Sequence, residues 1–242
     1  MTLAALQARI CRCRACPRLV AWREEVGRVK RRAYRDWEYW ARPVPGFGDP
    51  RARLVIIGLA PGAHGANRTG RMFTGDRSGD FLYAGLFRAG FASQTTSEHR
   101  GDGLELRDAF ITAPVRCAPP ANRPTPEEIS RCAHFLDEEL ALLRPRVFLA
   151  LGAIAWAAAL RCLRAPRPWP PFAHGASLEL PDGRWLVGSY HVSQQNTQTG
   201  RLTAAMFDAV LARISRLLEA PAPAPEPPSG RRAPARRAAA GR

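Results

Sequence analysis

The sequence contains almost no lysine. Lys30 is the only lysine among 242 residues, against 35 arginines, and the formal net charge is +15 at pH 7. Because the guanidinium is planar and can donate two parallel hydrogen bonds to a phosphate or carboxylate, this composition indicates a polyanionic partner. The alternative is that a GC-rich or thermophilic genome has replaced lysine by arginine and left a surface that is merely basic.

Long apolar runs are also missing. No run approaches the roughly 20 residues that a membrane span needs, and the N-terminus lacks the apolar core of a secretory signal. We therefore expect a cytoplasmic protein in a reducing compartment. Six cysteines in that setting are more often metal ligands or core residues than disulfides.

The C-terminal stretch lacks a periodic apolar face. From Glu219 it reads EAPAPAPEPPSGRRAPARRAAAGR and holds six of the 22 prolines, so we predict a disordered tail over 219–242. With five arginines and two glutamates the tail carries +3, which leaves +12 on residues 1–218. We predict one folded domain over 1–218, and we find no internal repeat.

Strand and helix patterns alternate along this domain. Four mostly continuous apolar runs predict strands that are covered on both faces, at 53–60, 108–117, 146–152 and 185–193. The helix-like patterns lie at the N-terminus and at 78–90, 125–144, 152–165 and 200–220. This alternation predicts an α/β fold, a three-layer sandwich around a parallel central sheet, whose ligands bind outside the carboxyl ends of the strands.

The cysteine spacing predicts a metal centre. Cys13 and Cys16 form a CxxC within CRCRACP, Cys117 ends the second predicted strand, and Cys132 lies one helix later. The second pair spans a loop and half a helix, which favours a [4Fe–4S] cluster over a zinc site built from two short knuckles. Zinc, and a core role for Cys132 on its apolar helix face, are the alternatives. The other two cysteines are interpreted as buried or unused thiols: Cys11 and Cys162.

A glycine-rich segment follows the first predicted strand. It reads GLAPGAHGANRTGRMFTGD over 58–76, and five glycines let the backbone approach a ligand closely and present N–H groups to it. Neither GxGxxG nor GKS/T is present, which excludes a Rossmann or Walker nucleotide site. Phe73 and Asp76 near its end are candidate ligand-binding residues. Plain packing and a helix cap are the alternative roles for this pair.

The last predicted strand ends in HVSQQNTQTGRLT, residues 191–203. His191 is either a structural histidine or a site residue. The polar run that follows, with Gly200, Arg201 and Leu202, is unusual for a buried turn. It is typical of a loop that inserts a side chain into a base stack.

Several separated motifs occur in the order typical of one enzyme family. They are the Gly-Leu-Ala-Pro-Gly turn, the Phe-Thr-Gly-Asp, CAPPANRPTPEE around Cys117, the late His-Val-Ser loop and the four-cysteine pattern. In these motifs residues 10–218 resemble the uracil-DNA glycosylase superfamily, specifically its iron–sulfur branch called family 5 or UDGb. The resemblance implies a four-stranded parallel sheet, a structural [4Fe–4S] cluster, and a monofunctional glycosylase that removes uracil from DNA in base excision repair.

Two motifs depart from those of related enzymes. Family 4 relatives have an asparagine four residues before the third cysteine that reads the pyrimidine edge, but here that position is Ala113. The polar residue that several relatives use to place water is replaced by Leu59 and Ala60. The catalytic carboxylate must therefore come from elsewhere, and Asp76 is a better candidate than Asp80.

The resemblance and the motifs together assign roles to named residues. Asp76 and His191 are the catalytic candidates. Base contacts are assigned to Gly58, Ala60, Gly62, Phe73, Ala113 and Asn122. The DNA-inserting loop is assigned to Gln195, Asn196, Arg201 and Leu202. The cluster ligands are Cys13, Cys16, Cys117 and Cys132.

The functional expectation follows from these assignments. The protein would flip a damaged nucleotide out of DNA and hydrolyse its N-glycosidic bond, as a monomer. Because Ala113 cannot read the uracil edge and leaves room, we expect activity on other deaminated bases, hypoxanthine above all. Two alternatives stay open: a non-catalytic iron–sulfur DNA-binding protein on the same scaffold, and an enzyme strict for uracil, against which Ala113 argues.

Overall fold

Four parallel strands form the centre of the protein in the computed structural model, which describes residues 1–220. The helices are α1 (Leu3–Arg12), α2 (Pro17–Val29), α3 (Ala66–Thr69), α4 (Arg77–Arg88), α5 (Pro126–Leu143), α6 (Ala153–Cys162), α7 (Gln194–Gln198) and α8 (Ala204–Glu219). The strands are β1 (Phe47–Gly48), β2 (Leu54–Ile57), β3 (Ala109–Thr112), β4 (Val147–Leu151), β5 (Ser177–Glu179) and β6 (Trp185–Ser189).

The sheet has six strands in the order β1-β3-β2-β4-β6-β5. The four strands predicted from apolar runs, β2, β3, β4 and β6, are all present and pair in parallel. The expected strand count of four was too low, because β1 and β5 add one antiparallel strand at each edge. These edge strands are only two and three residues long and partly exposed, so they carry no continuous apolar run to predict them from.

The central strands are apolar throughout because both faces are covered. One face packs against α4 and α8 through residues such as Leu82, Leu86 and Phe207. The other packs against α5 and α6, with Leu136, Leu140 and Trp156 in contact with the sheet. The predicted α/β sandwich of three layers is confirmed, and the carboxyl ends of the four parallel strands meet at one edge of the sheet.

The predicted helices begin and end close to their sequence signals. In α5 the side chain of Thr125 accepts a hydrogen bond from the Glu128 N–H while the Glu128 carboxylate accepts one from the Thr125 N–H, which satisfies two unpaired donors of the first turn. Pro126 occupies the first helical position, where a missing N–H is harmless. The structure adds α2, α3 and α7, which the sequence patterns did not predict.

Helix α8 ends at Glu219, one residue beyond the predicted domain boundary at 218. The tail predicted over 219–242 lies outside the described residues from residue 221 onward. Within residues 1–220, no helix combines the length and apolar character that crossing a membrane requires.

A buried ion pair joins the sheet to α5. Arg116 Nη2 lies 2.6 Å from Glu139 Oε2, and the two side chains are 1% and 0% exposed. The hydroxyl of Thr112, the last residue of β3, donates to the same carboxylate. The pair therefore holds the segment that leaves β3 for Cys117 against the helix that carries Cys132.

This burial predicts a large effect from neutralising one partner. Glu139→Gln leaves the Arg116 guanidinium buried without its counter-charge, which should lower the free energy of unfolding by about 3–5 kcal/mol in urea denaturation. The neighbouring Glu138 pairs with Arg9 on the surface, so Glu138→Gln is the matched control and should cost about 0–1 kcal/mol. Equal losses in the two variants would contradict the buried-pair interpretation.

Candidate functional site

A pocket opens at the carboxyl ends of the parallel strands. It is built from the segments that follow β2, β3 and β6, together with the start of α4. Eight of the predicted site residues line it together: Ala60, Gly62, Phe73, Asp76, Ala113, Asn122, His191 and Gln195. Gly58 does not line the pocket; the ring of Phe73 packs against it instead.

Phe73 is held by the backbone around it. Its φ is +51°, a left-handed conformation that side chains other than glycine adopt rarely and at a cost. The ring lies directly against Gly58, where a Cβ would come within 2.8 Å of the Phe73 ring. The Phe73 ring faces His191 across 6.1 Å between ring centroids, tilted by 37°. The half-buried ring thus forms one wall of the pocket.

Arg71 anchors the turn that carries Phe73. It makes a two-pronged ion pair with Asp102, at 2.8 and 2.6 Å, and its Nε donates to the Thr74 hydroxyl. Ser97 joins the same buried network through hydrogen bonds with Arg71 and Thr74. Since a planar guanidinium fixes two partners at once, this network holds the turn in its strained conformation.

Asp76 caps helix α4. Its Oδ1 accepts hydrogen bonds from the N–H groups of Ser78 and Gly79, each at 3.0 Å. Among residues 1–220, Oδ2 has no hydrogen-bond partner, and it lies against the glycine-rich turn. A Cβ on Gly65 would come within 1.9 Å of Oδ2, and a Cβ on Gly62 within 3.0 Å.

The helix-cap role and the site role therefore belong to the same carboxylate. Burial raises the pKa of Asp76, while the N–H groups of Gly79 and Ser78 oppose this by stabilising the ionised form. One oxygen is committed to the cap, the other lies against Gly65 and Gly62, and the residue lines the pocket. Asp80 lies one turn further along α4, is exposed, and does not line the pocket, which agrees with its lower rank as a candidate.

His191 is a neutral pocket residue. Desolvation lowers its pKa to about 4, so the imidazole is uncharged at pH 7. Its backbone is fixed by Asn196, whose Nδ2 donates to the His191 carbonyl oxygen at 2.8 Å. Gly152, with φ at +92°, lets β4 pass close beneath it, since a Cβ there would lie 3.3 Å from the His191 Cβ.

Ala113 and Asn122 lie at opposite ends of the pocket, at its floor and its mouth. Ala113 directly follows β3, is 1% exposed, and forms part of the floor. Asn122 is exposed at the rim, where Ala121 and Asn122 both adopt positive φ. The structure therefore puts the amide of Asn122 at the pocket mouth rather than beside the floor.

Two members of the predicted DNA-inserting loop are not exposed at its tip. Leu202 is 0% exposed and packs in the main core, so it is a core residue and cannot fill a gap between bases from this position. Asn196 is half-buried and uses its amide to hold His191, while its carbonyl accepts from the Leu202 N–H at 3.0 Å. The exposed tip consists of Gln194, Gln195 and residues 198–201.

Arg201 is exposed at this tip and lies over the Tyr190 ring, 4.8 Å from its centroid. The alternation of buried and exposed positions in 191–202 is irregular because the segment turns through the short helix α7. Sequence periodicity could not separate Leu202 from its exposed neighbours for this reason.

The four predicted cluster ligands line a second, smaller cavity. Cys13 and Cys16 lie at the junction of α1 and α2, Cys117 follows β3, and Cys132 lies on α5. All six cysteines carry free thiols. Cys11 does not line this cavity, and Cys162 lies at the end of α6, so neither belongs to the set.

The four cysteines surround one cavity without meeting at a single point. Within residues 1–220, no group of three or more His, Cys, Asp or Glu side chains converges so as to hold one metal ion. A [4Fe–4S] cube binds each thiolate through a different iron, so its ligands surround a cavity instead of meeting at one point. The buried Arg23 contributes a positive charge here, because its Nη1 donates to Cys117 Sγ at 2.8 Å.

Two arginines that line the pocket were missed by sequence reasoning. Arg77 and Arg123 are exposed, line the pocket on different segments, and form no ion pair among the described residues. Arg77 directly follows Asp76, and Arg123 directly follows Asn122, so their adjacency to predicted site residues was the available signal. Unpaired arginines at a pocket rim suit the binding of phosphate groups.

Comparison with known proteins gives a family match and close relatives. Residues 45–215 match the family described as the Uracil DNA glycosylase superfamily. The chain is 59% identical over 207 residues to a Type-5 uracil-DNA glycosylase of Thermus thermophilus, covering 85% of this chain and 93% of the relative. It is 55% identical over 219 residues to the enzyme of that name in Mycobacterium bovis, covering 89% and 82%. A Pyrobaculum aerophilum Type-5 uracil-DNA glycosylase is 47% identical over 207 residues, covering 86% and 89%.

The burial of His191 predicts its titration. The unfolded chain protonates a histidine near pH 6.5, whereas folded His191 does so only near pH 4. His191 should therefore be neutral in nitrogen-15 NMR spectra down to about pH 5, and acidification from pH 6.5 to 4 should destabilise the fold. A titration of His191 near pH 6.5 would contradict its desolvation.

Proposed function

Because the chain belongs to the uracil-DNA glycosylase superfamily and, within it, to the type-5 enzymes, we propose that it removes uracil and other deaminated bases from DNA. It is a hydrolase of N-glycosyl bonds. The observation that carries the proposal is that one pocket is lined by the unpaired Oδ2 of Asp76, the neutral imidazole of His191 and the ring of Phe73. Residues 1–218 are the proposed glycosylase domain.

The target nucleotide must first leave the helix. Flipping costs a few kcal/mol and is easiest for mispaired bases such as uracil opposite guanine. Exposed Arg77, Arg123 and Arg201 around the pocket are the proposed contacts to the DNA backbone. With Leu202 in the core, Gln195 and its neighbour Gln194 line the pocket and are exposed enough to meet the vacated stack.

Bond cleavage separates charge. As the base departs, the sugar becomes cationic and the base anionic, so catalysis needs negative charge beside the sugar and hydrogen-bond donors beside the base. Asp76 Oδ2 supplies the negative charge and holds the attacking water. The neutral imidazole N–H of His191 and the backbone N–H groups of the 58–66 turn stabilise the anionic base.

Phe73 stacks on the flipped base. Stacking of an aromatic ring on a base contributes about 1–3 kcal/mol and tolerates different bases, because every base has a π-face. The ring needs no further ordering on binding, since Gly58 and the Arg71 network already hold its turn. This preorganisation supports a pocket of broad base specificity.

The four-cysteine cavity is the proposed site of a [4Fe–4S] cluster. Cys13, Cys16, Cys117 and Cys132 would hold it, linking α1, α2, the segment after β3 and α5. The cluster would supply a covalent cross-link among these four segments. Burial raises the pKa of Cys117 to about 11 and of Cys132 to about 12, so the free thiols stay protonated in the absence of a metal.

The main competing function is DNA binding without catalysis, and Asp76 separates the two. Asp76→Asn keeps an oxygen for the helix cap but removes the negative charge, so single-turnover uracil release from a U:G duplex should fall by about 10²-fold or more, read as alkali-labile abasic sites. Duplex affinity should be retained. Asp80→Asn, the exposed acid on the same helix, is the matched control and should keep wild-type turnover.

A wild-type protein that binds the duplex but releases no base would establish the non-catalytic alternative. An Asp76→Asn variant with full turnover would remove Asp76 from the mechanism while leaving the enzyme assignment intact.

Ala113 predicts the breadth of specificity. A buried methyl group can neither donate to nor accept from the uracil edge, so the pocket lacks discrimination of about 1–3 kcal/mol that one buried polar contact supplies. Wild-type protein should therefore also release hypoxanthine. Ala113→Asn should shift the ratio of single-turnover rates toward uracil and against hypoxanthine. Release of uracil with no release of hypoxanthine by the wild type, in otherwise identical duplexes, would contradict this account of the pocket.

The cluster proposal predicts iron content. Protein purified without oxygen should be brown and contain about four irons per chain. Cys132→Ser should reduce the iron content, whereas Cys162→Ser, at a half-buried thiol outside the cavity, should not. A colourless, folded preparation that holds one zinc would overturn the assignment.

A further inference from the structure

Arg68 is a buried cation that the proposed mechanism does not use. It lies on α3 and is only 4% exposed. Its Nε donates to the carbonyl oxygen of His64 at 2.8 Å, and its Nη2 donates to the carbonyl oxygen of Gly75 at 2.8 Å. One planar group thus bridges two separate loops.

These two loops are the ones that enclose the carboxylate of Asp76. Gly75 directly precedes Asp76, and His64 directly precedes Gly65, whose Cα faces Oδ2 so closely that a Cβ would clash with it. Gly75 has a φ of +78°, and a Cβ there would come within 2.4 Å of Arg68 Nη2. The Arg68 guanidinium therefore sets the distance between the two loops that enclose the Asp76 carboxylate.

Aromatic rings cover the cation. The guanidinium carbon of Arg68 lies 3.9 Å from the ring centroid of Tyr34 and 4.1 Å from that of Trp37. The segment carrying these rings is tied to α3, because the Trp40 N–H donates to the Arg68 carbonyl oxygen at 2.9 Å. The Tyr39 hydroxyl and His64 Nδ1 lie 3.1 Å apart. Stacking of this kind stabilises a desolvated guanidinium and limits the positions it can take.

We propose that Arg68 is a positioning residue that holds the Asp76 carboxylate in its productive place by fixing the carbonyl groups of His64 and Gly75. The inference rests on the proposed role of Asp76 in the glycosylase reaction. Arg68 does not line the pocket, so its effect on the reaction passes through Asp76.

The charge of Arg68 adds a second, measurable effect. Burial raises the pKa of Asp76, and the N–H groups of Gly79 and Ser78 lower it. Asp80 raises this pKa further, and the positive charge of Arg68 lowers it by a smaller amount. The other titratable or charged side chains around the carboxylate are His64 on the turn, His191 across the pocket, and Arg77 and Arg123 at the rim. Burial lowers the pKa of His64 and of His191, so both are neutral at pH 7.

The test compares Arg68→Met and Arg68→Lys in the full-length protein. Methionine keeps an unbranched apolar stem but loses both the charge and the hydrogen bonds, whereas lysine keeps the charge and cannot make the same two-pronged bridge. Arg35→Met, an exposed arginine in the segment that carries the two rings, is the matched control. Single-turnover rates and duplex affinity are measured from acid to neutral pH, and melting temperature checks that each variant folds.

Arg68→Met should lower the turnover rate by about 10- to 100-fold with little change in duplex affinity. The acid limb of its pH–rate profile should move to higher pH. Loss of the Arg68 charge raises the pKa of Asp76, which then needs a higher pH to ionise. Arg68→Lys should be slower than the wild type with an unmoved acid limb. Arg35→Met should match the wild type in both measurements.

A carbon-13 NMR titration of the Asp76 carboxyl, assigned with Asp76→Asn, gives a readout without catalysis. An unchanged titration together with unchanged turnover in Arg68→Met would overturn the inference. If Arg68→Met fails to fold, the decision rests on Arg68→Lys, and a wild-type rate in that variant would overturn it. Full turnover in Asp76→Asn would instead show that the proposed role of Asp76 has failed.

Discussion

The contact between the Asp76 carboxylate and the glycine-rich turn is the constraint on which the site depends. Oδ1 accepts hydrogen bonds from the first turn of α4. Oδ2 lies so close to Gly65 that any side chain at that position would clash with it. Placing Asp76 there requires three segments to come together around its carboxylate: the turn after β2, the strained turn at Phe73 and the start of α4. The parallel sheet makes this possible, since strand ends that meet at one edge bring distant segments together.

Buried arginines hold these loops in place. Arg23, Arg68, Arg71 and Arg116 are each at most 4% exposed, and each binds loop or strand-end groups near the carboxyl ends of the strands. The high arginine content therefore serves two purposes. Part of it forms internal bridges that a lysine, with a single point of attachment, could not form. Arg77 and Arg123 at the pocket rim form no ion pair among residues 1–220 and are the proposed contacts to DNA.

The sequence predicted the layers of the fold and eight of the residues that line the pocket, for identifiable reasons. The four central strands were recognisable because burial on both faces leaves a continuous apolar run, and α5 because its caps are explicit in Thr125 and Pro126. Asp76 and Phe73 were found through the glycine spacing. Leu202 was misassigned because a leucine in a polar loop can be either core or wedge, and only tertiary packing distinguishes them. Arg68 was not identified, because its partners are backbone carbonyls, which no side-chain pattern reveals.

Gly65 has to lack a side chain for the Asp76 carboxylate to occupy its place, and Gly65→Ala tests this requirement directly. The added methyl group would lie 1.9 Å from Oδ2, so the carboxylate must move. The measurement is the single-turnover rate of uracil release from a U:G duplex by a variant whose melting temperature and duplex affinity match the wild type. The account predicts a loss of turnover comparable to that of Asp76→Asn. A Gly65→Ala variant that releases uracil at the wild-type rate would contradict it.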